Sequence, residues 1–306
     1  MDLNAMMSQM LLLFFTLAVG FFAAKIKIMN EDTNRFLSEL VVCILNPLQI
    51  LASVMTPQRL LRNGQVLALS LIAFLCYIAA ILIALPLTRC LRTPKKQVGI
   101  LRFMFIFSNT GFIGYPLAGA LFGESATFYV TVFVLMFQLF CWTYGVFLVE
   151  DGTGRFRPSL SLLKNPCVIA ALIAYVIYFS GLRVPSVIGD MTRYVGQLTP
   201  PVSMLIIGCA LAQMKLRRVF DQWRLYVLCA VKLLLFPACV WAILRRVVNN
   251  ELMVAITVLL ISMPIATNST IISYRCGGDQ ETASAGIFLS TLLSLGTLPL
   301  LMYLLF

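Results

Sequence analysis

The chain has 306 residues, of which 60% are apolar and only 11% charged, at a mean hydropathy of +0.94, whereas soluble domains carry about 25% charged residues. That much apolar surface excludes a water-soluble fold, and the absence of two-residue alternation speaks against an outer-membrane barrel. The excess of 23 Lys and Arg over 12 Asp and Glu sits between apolar runs, where membrane topology signals lie, so no nucleic-acid partner is expected.

Apolar runs of about 20 residues match the length that carries a helix across roughly 30 Å of hydrocarbon. Bounded by charge, Gly and Pro, such runs predict spans over 5–24, 35–55, 65–88, 98–122 and 126–148, then 165–181, 191–212, 224–244, 252–275 and 282–305. The fold class expected is therefore an all-α polytopic membrane protein with ten transmembrane helices. The first run, Met6 to Ala24, is preceded by Asp2 and followed by Lys25 and Lys27; it reads as a spanning helix and not as a cleaved signal peptide.

With an outer N-terminus, loops on one side of the membrane hold 16 Lys and Arg and loops on the other hold 6, leaving Lys232 inside a span. The basic side is then cytoplasmic, and both termini face outward across the cytoplasmic (inner) membrane. The stretch from Glu150 to Asn165, EDGTGRFRPSLSLLKN, is the longest polar connector and reads as a linker between halves. No loop has room for a soluble catalytic module.

The two halves match faintly. Pro47 and Pro200 are 153 residues apart, Pro86 and Pro237 are 151 apart, and Gly123-Glu124 and Gly278-Asp279 are 155 apart. Because each half holds an odd number of spans, the second enters from the opposite side, which makes the repeat inverted.

Span four contains SNTGFIGYP, with Ser108, Asn109, Thr110, Gly111 and Pro116. Its counterpart in span nine is MPIATNST, with Pro264, Thr267, Asn268, Ser269 and Thr270. Gly and Pro in an apolar helix free backbone groups that lipid cannot satisfy, so both spans should be broken and shielded by protein. A half-helix that starts at membrane depth presents unpaired N–H groups and the positive end of its dipole, which suits an anion. Asn amides and Ser or Thr hydroxyls would add donors, although such residues in one segment alone are commonly packing and kinking residues. A matched pair of interrupted spans points to a substrate site.

Lys232, in LCAVKLLLFP, is costly at membrane depth. It compensates an anionic substrate, pins a broken helix, or reaches a carbonyl or the interface. The acids cluster at or near span ends, Glu39 lying one turn in, which argues against a buried carboxylate proton relay. With zero His and nine singly scattered Cys, a Cys/His zinc site is excluded, the thiols read as reduced packing residues, and a membrane enzyme is disfavoured. No cofactor is expected.

Together SNTGFIGYPL, the PP before VSMLIIGCALA, KLLLFP and MPIATNSTIISYRCGG resemble the auxin efflux carrier family, over essentially the whole chain. The resemblance implies the fold shared with bile acid:sodium symporters, and bacterial members include proposed malate and malonate carriers. It implies scaffold helices 1–2 (residues 1–55), core helices 3–5 (56–149), a linker (150–164), scaffold helices 6–7 (165–213) and core helices 8–10 (214–306). It also implies that spans four and nine cross, that Pro116 and Pro264 are the crossover prolines, and that Asn109 and Asn268 lie near a substrate carboxylate. Elevator-type movement and a homodimer are further implications. The long central loop of auxin carriers is absent here, so loop-mediated regulation does not carry over. The resulting expectation is a secondary transporter of a small organic anion such as a mono- or dicarboxylate. A sodium-coupled carrier of another solute, a channel and a membrane enzyme are the alternatives, and the coupling ion, Na+ or H+, stays open.

Overall fold

A computed structural model describes residues 3–55, 63–111, 113–123, 126–151, 164–182, 184–213 and 220–305. Most of the linker, together with Arg59, Arg62, Arg155, Arg157, Arg183, Lys215, Arg217 and Arg218 of the charge count, lies outside the described residues.

Among the described residues the chain is helical, with no strand beyond one isolated bridge. The first half comprises α1 (Leu3–Lys25), α2 (Glu31–Leu40), α3 (Asn46–Ala52), α4 (Asn63–Cys90), α5 (Val98–Ile106), α6 (Gly114–Phe122), α7 (Ala126–Phe140) and α8 (Val146–Asp151). The second comprises α9 (Pro166–Ser180), α10 (Ser186–Gly196), α11 (Thr199–Gln213), α12 (Trp223–Ala230), α13 (Phe236–Val247), α14 (Glu251–Ile261), α15 (Asn268–Cys276) and α16 (Gln280–Leu305). Six helical stretches are long and apolar enough to cross a membrane: Glu31–Ala52, Gly64–Cys90, Phe128–Glu150, Ser186–Gln213, Trp223–Val247 and Gln280–Leu305. Leu11–Lys25, Pro166–Ser180 and Glu251–Ile261 are shorter apolar helices.

Several ends carry the chemistry that helix termini need. The side chains of Asn30, Asn165 and Asn250 accept from the backbone N–H of Thr33, Cys167 and Met253 at 2.8, 3.0 and 3.0 Å, starting α2, α9 and α14. Gly181 and Gly277, both at φ 72°, stop α9 and α15 in the left-handed region where a side chain is strained.

Among the described residues three π-helical turns, at Val41–Leu45, Cys141–Gly145 and Val231–Leu235, interrupt otherwise continuous helices. Two have a visible cause. Pro47 and Pro237 lie two residues past the ends of the first and third turns, and a proline both lacks an N–H and pushes away the carbonyl four residues back. Widening the preceding turn accommodates that carbonyl without ending the helix. Apolar periodicity does not encode such turns, and the sequence reading had continuous spans there.

Apolar side chains fill the interior and also face outward. Large apolar side chains on α1 and α4, including Phe15, Phe22, Leu67 and Leu82, are exposed, as lipid contact requires. α5, α14 and most of α15 are instead buried along their length, so the two interrupted segments are sheathed by protein. α1 runs along α11 at a distance only glycine permits. A Cβ at Gly20 would run into the backbone of Leu205, and one at Gly208 into that of Leu17 and Phe21.

Candidate functional site

α5 stops at Ile106 and α6 starts at Gly114; α14 stops at Ile261 and α15 starts at Asn268. The two unwound stretches cross as a short antiparallel bridge between Ser108 and Ile265. Asn109 N donates to Pro264 O at 2.7 Å, and Ala266 N donates to Phe107 O at 3.0 Å. The backbone groups freed by each break are thus satisfied largely by the other break, as burial away from water demands. Ser290 Oγ accepts from Ile265 N at 3.0 Å and closes a further gap.

The crossing brings the C-terminal ends of α5 and α14 to one side, where both helix dipoles are negative. Lys232 sits there, 1% exposed and carried by the third π turn. Its ammonium donates to Phe105 O at 2.8 Å and to Ser108 Oγ at 2.9 Å. Ser108 Oγ in turn donates to Ile261 O at 3.0 Å. One cation and one hydroxyl therefore satisfy a terminal carbonyl of both half-helices. Among the described residues Lys232 has no carboxylate within ion-pair distance.

On the other side the N-terminal ends of α6 and α15 meet a small polar cleft of about 30 Å³. Asn109, Thr110, Gly111, Thr267 and Asn268 line it. Thr110 and Thr267 are 0% and 1% exposed, and neither hydroxyl has a hydrogen-bond partner. A Cβ at Gly111 would meet nothing within 4 Å, so this glycine leaves backbone open to the cleft. Asn268 Nδ2 donates to Cys141 Sγ at 3.6 Å.

The remaining expected site residues are placed differently. Ser108 faces Lys232; Ser269 Oγ donates to Ala266 O at 3.0 Å, and Thr270 Oγ1 shares a 3.1 Å hydrogen bond with Ser284 Oγ of α16. Pro264 contributes its carbonyl to the bridge. Pro116 belongs to α6, and its side chain lies outside the described residues. Glu39 is exposed on α2.

Sequence reasoning missed the opposite wall. Asn46 is 1% exposed, lines the cleft from α3, and its Nδ2 has no partner. Gln49, Tyr115 and Gln138 also line it. The signal available was a polar amide inside an apolar span, which by default marks function in a membrane; the repeat comparison used only its neighbour Pro47.

A multi-pass helical bundle with two interrupted, protein-sheathed segments crossing at a polar cleft defines a membrane transporter. The match to known proteins agrees. Residues 5–302 fit the family model described as membrane transport protein, and the chain belongs to this family, that of the auxin efflux carriers. It is 23% identical to an uncharacterized transporter of Methanocaldococcus jannaschii, over 94% of this chain and 95% of that one. It is 26% identical to a provisionally named malonate transporter of Rhizobium meliloti, over 70% of this chain and 69% of the relative. An uncharacterized transporter of Methanothermobacter thermautotrophicus is 29% identical over 63% of each chain.

Proposed function

We propose that this membrane transporter carries a small organic anion, with a mono- or dicarboxylate bound at the crossover cleft. The carrying observation is the set of buried donors without partners around it: Asn46 Nδ2, Thr110 Oγ1 and Thr267 Oγ1. An unsatisfied buried donor is costly, and a carboxylate, which only accepts hydrogen bonds, relieves it. The N-termini of α6 and α15 add the positive ends of two dipoles, and among the described residues no acidic side chain lines the cleft. The malonate named for the Rhizobium meliloti relative belongs to the same chemical class.

In this reading the chain crosses the cytoplasmic membrane ten times in two inverted halves, with both termini outside. The interrupted passages α5–α6 and α14–α15 are its fourth and ninth crossings. Residues 56–149 and 214–306 form the moving core, and residues 1–55 and 165–213 form the scaffold, which as a homodimer stays fixed while the core moves by an elevator stroke. Lys232 balances the negative C-terminal ends of α5 and α14 and so pins the crossover, and the cargo's charge is met from the N-terminal side. A channel reading is disfavoured by the protein sheath around both breaks.

The test is counterflow of labelled malonate in proteoliposomes, together with thermal-shift binding of a mono- and dicarboxylate panel with and without Na+. Saturable counterflow and stabilisation by at least one carboxylate are expected. An ohmic current, or no stabilisation by any carboxylate, defeats the reading.

A further inference from the structure

The crossover cleft has a neighbour. A second cleft of about 280 Å³ is lined by Trp142, Ile272, Arg275, Lys164 and Glu150, among others. Arg275 and Lys164 are exposed, and both belong to loops counted on the basic side, so the second cleft is taken to border that side. The two clefts share their walls. Gln138 lines the first and Trp142 the second, four residues on along α7 and its π turn; Asn268 lines the first and Ile272 the second, four residues on along α15. Positions four apart on a helix lie one above the other, so about one helical turn separates the clefts on both walls.

That turn is closed by two side-chain contacts. Trp142 Nε1 donates to Gln138 Oε1 at 2.7 Å, and Asn268 Nδ2 donates to Cys141 Sγ at 3.6 Å. Trp142 and Cys141 are 1% and 0% exposed. A buried indole N–H requires an acceptor, and here the acceptor is a residue of the cleft. The ring is therefore held to its own helix between the levels of the two clefts, and the Asn268–Cys141 contact beside it joins the two walls. It also sits in a π turn that no proline explains, and such turns occur often at functional positions.

We infer that the Trp142 indole, latched to Gln138, is the plug between the crossover cleft and the basic side of the membrane. An anion leaving or entering on that side passes only when the ring swings out. The inference rests on the proposed reading of the cleft as the cargo site, and Trp142 acts by positioning and exclusion, without touching the cargo's reacting atoms.

Cys141 reports the closed layer from within. A membrane-impermeant maleimide is applied to each face of vesicles holding the full chain, and modification of every cysteine is followed by peptide mass spectrometry. Labelling of exposed Cys90 and half-buried Cys276 identifies the basic face. In the unaltered chain Cys141 labels slowly. In Trp142→Ala it should label about tenfold faster, from the basic face alone, because modification of a buried group follows the fraction of time it is open. Buried Cys76 and Cys167 should stay at their original rates. Trp142→Phe keeps a ring but loses the latch and should give an intermediate rate, which decides the matter if the alanine variant fails to fold. An unchanged Cys141 rate, equal acceleration from both faces, or parallel acceleration of Cys76 and Cys167 overturns the plug. Because no cargo is used, the labelling fails or succeeds independently of the carboxylate reading.

Discussion

Replacing Lys232 by Met keeps the approximate length of the side chain and removes the ammonium from the crossover. Two hydrogen bonds vanish, to Phe105 O at 2.8 Å and Ser108 Oγ at 2.9 Å. Bonds to charged groups contribute about 1.5–3 kcal/mol each, so the loss is roughly 3–6 kcal/mol. Holding a Lys at membrane depth costs about 2.5–3.5 kcal/mol, which the substitution returns. The midpoints leave a net destabilisation of about 1.5 kcal/mol, corresponding to a few degrees in a thermal unfolding midpoint for a chain of this size. Ser108→Ala should cost less, since it breaks only the relay from Lys232 to Ile261 O. Combining the two should cost less than their sum, because they share one network. The measurement is thermal unfolding of the purified transporter in detergent, followed by tryptophan fluorescence. A Met variant as stable as the parent, or strict additivity of the two substitutions, refutes the idea that the ammonium pins the half-helices.

Asn109→Ala and Asn268→Ala should each weaken carboxylate binding about tenfold or more without preventing membrane insertion, as expected for removal of donors to a charged ligand; titration of thermal stability with malonate measures it. Gly111→Val should weaken the same binding while leaving the unliganded unfolding midpoint within a few degrees, since its side chain enters the cleft and meets no protein atom as a Cβ. Gly208→Val should do the reverse at the level of folding. Its side chain would collide with the backbone of Leu17 and Phe21, and a loss of monodisperse protein in size-exclusion chromatography checks it. Cysteines introduced near each terminus should label from outside intact cells, and labelling only after lysis reverses the orientation.

The apolar runs and their punctuation made the helical, membrane-spanning character legible, because lipid imposes length and polarity on every crossing. The two interruptions were legible for the same reason: SNTGFIGYP and MPIATNST concentrate residues that a lipid-facing helix cannot hold. What these residues touch was not legible. The sequence grouped Ser108, Ser269 and Thr270 with the cleft residues, but one residue along a helix turns the side chain by about 100°. Ser269 and Thr270 accordingly point into packing, and Ser108 faces Lys232. Asn46 was hidden for the opposite reason, since its partners across the cleft are far away in sequence. The π turns escaped because each adds one residue to a turn, which leaves hydrophobicity unchanged.

The arrangement of the crossover separates two electrostatic demands that a single break could not meet. Interrupting one helix at membrane depth creates a negative end and a positive end a few residues apart, and any ion drawn to one is repelled by the other. Crossing two interrupted helices in antiparallel register groups the like ends, with Ile106 and Ile261 on one side and Gly114 and Asn268 on the other. The negative side is then satisfied permanently by a side chain of the protein itself, Lys232 through Ser108. Among the described residues the positive side is left with donors and no acidic side chain, and that side borders α3. On the proposed reading of the cleft, a permanent internal cation and an exchangeable external anion share one geometry. The first holds the crossover together when the cleft is empty, and the second can leave without unravelling it, which a carrier that returns empty requires.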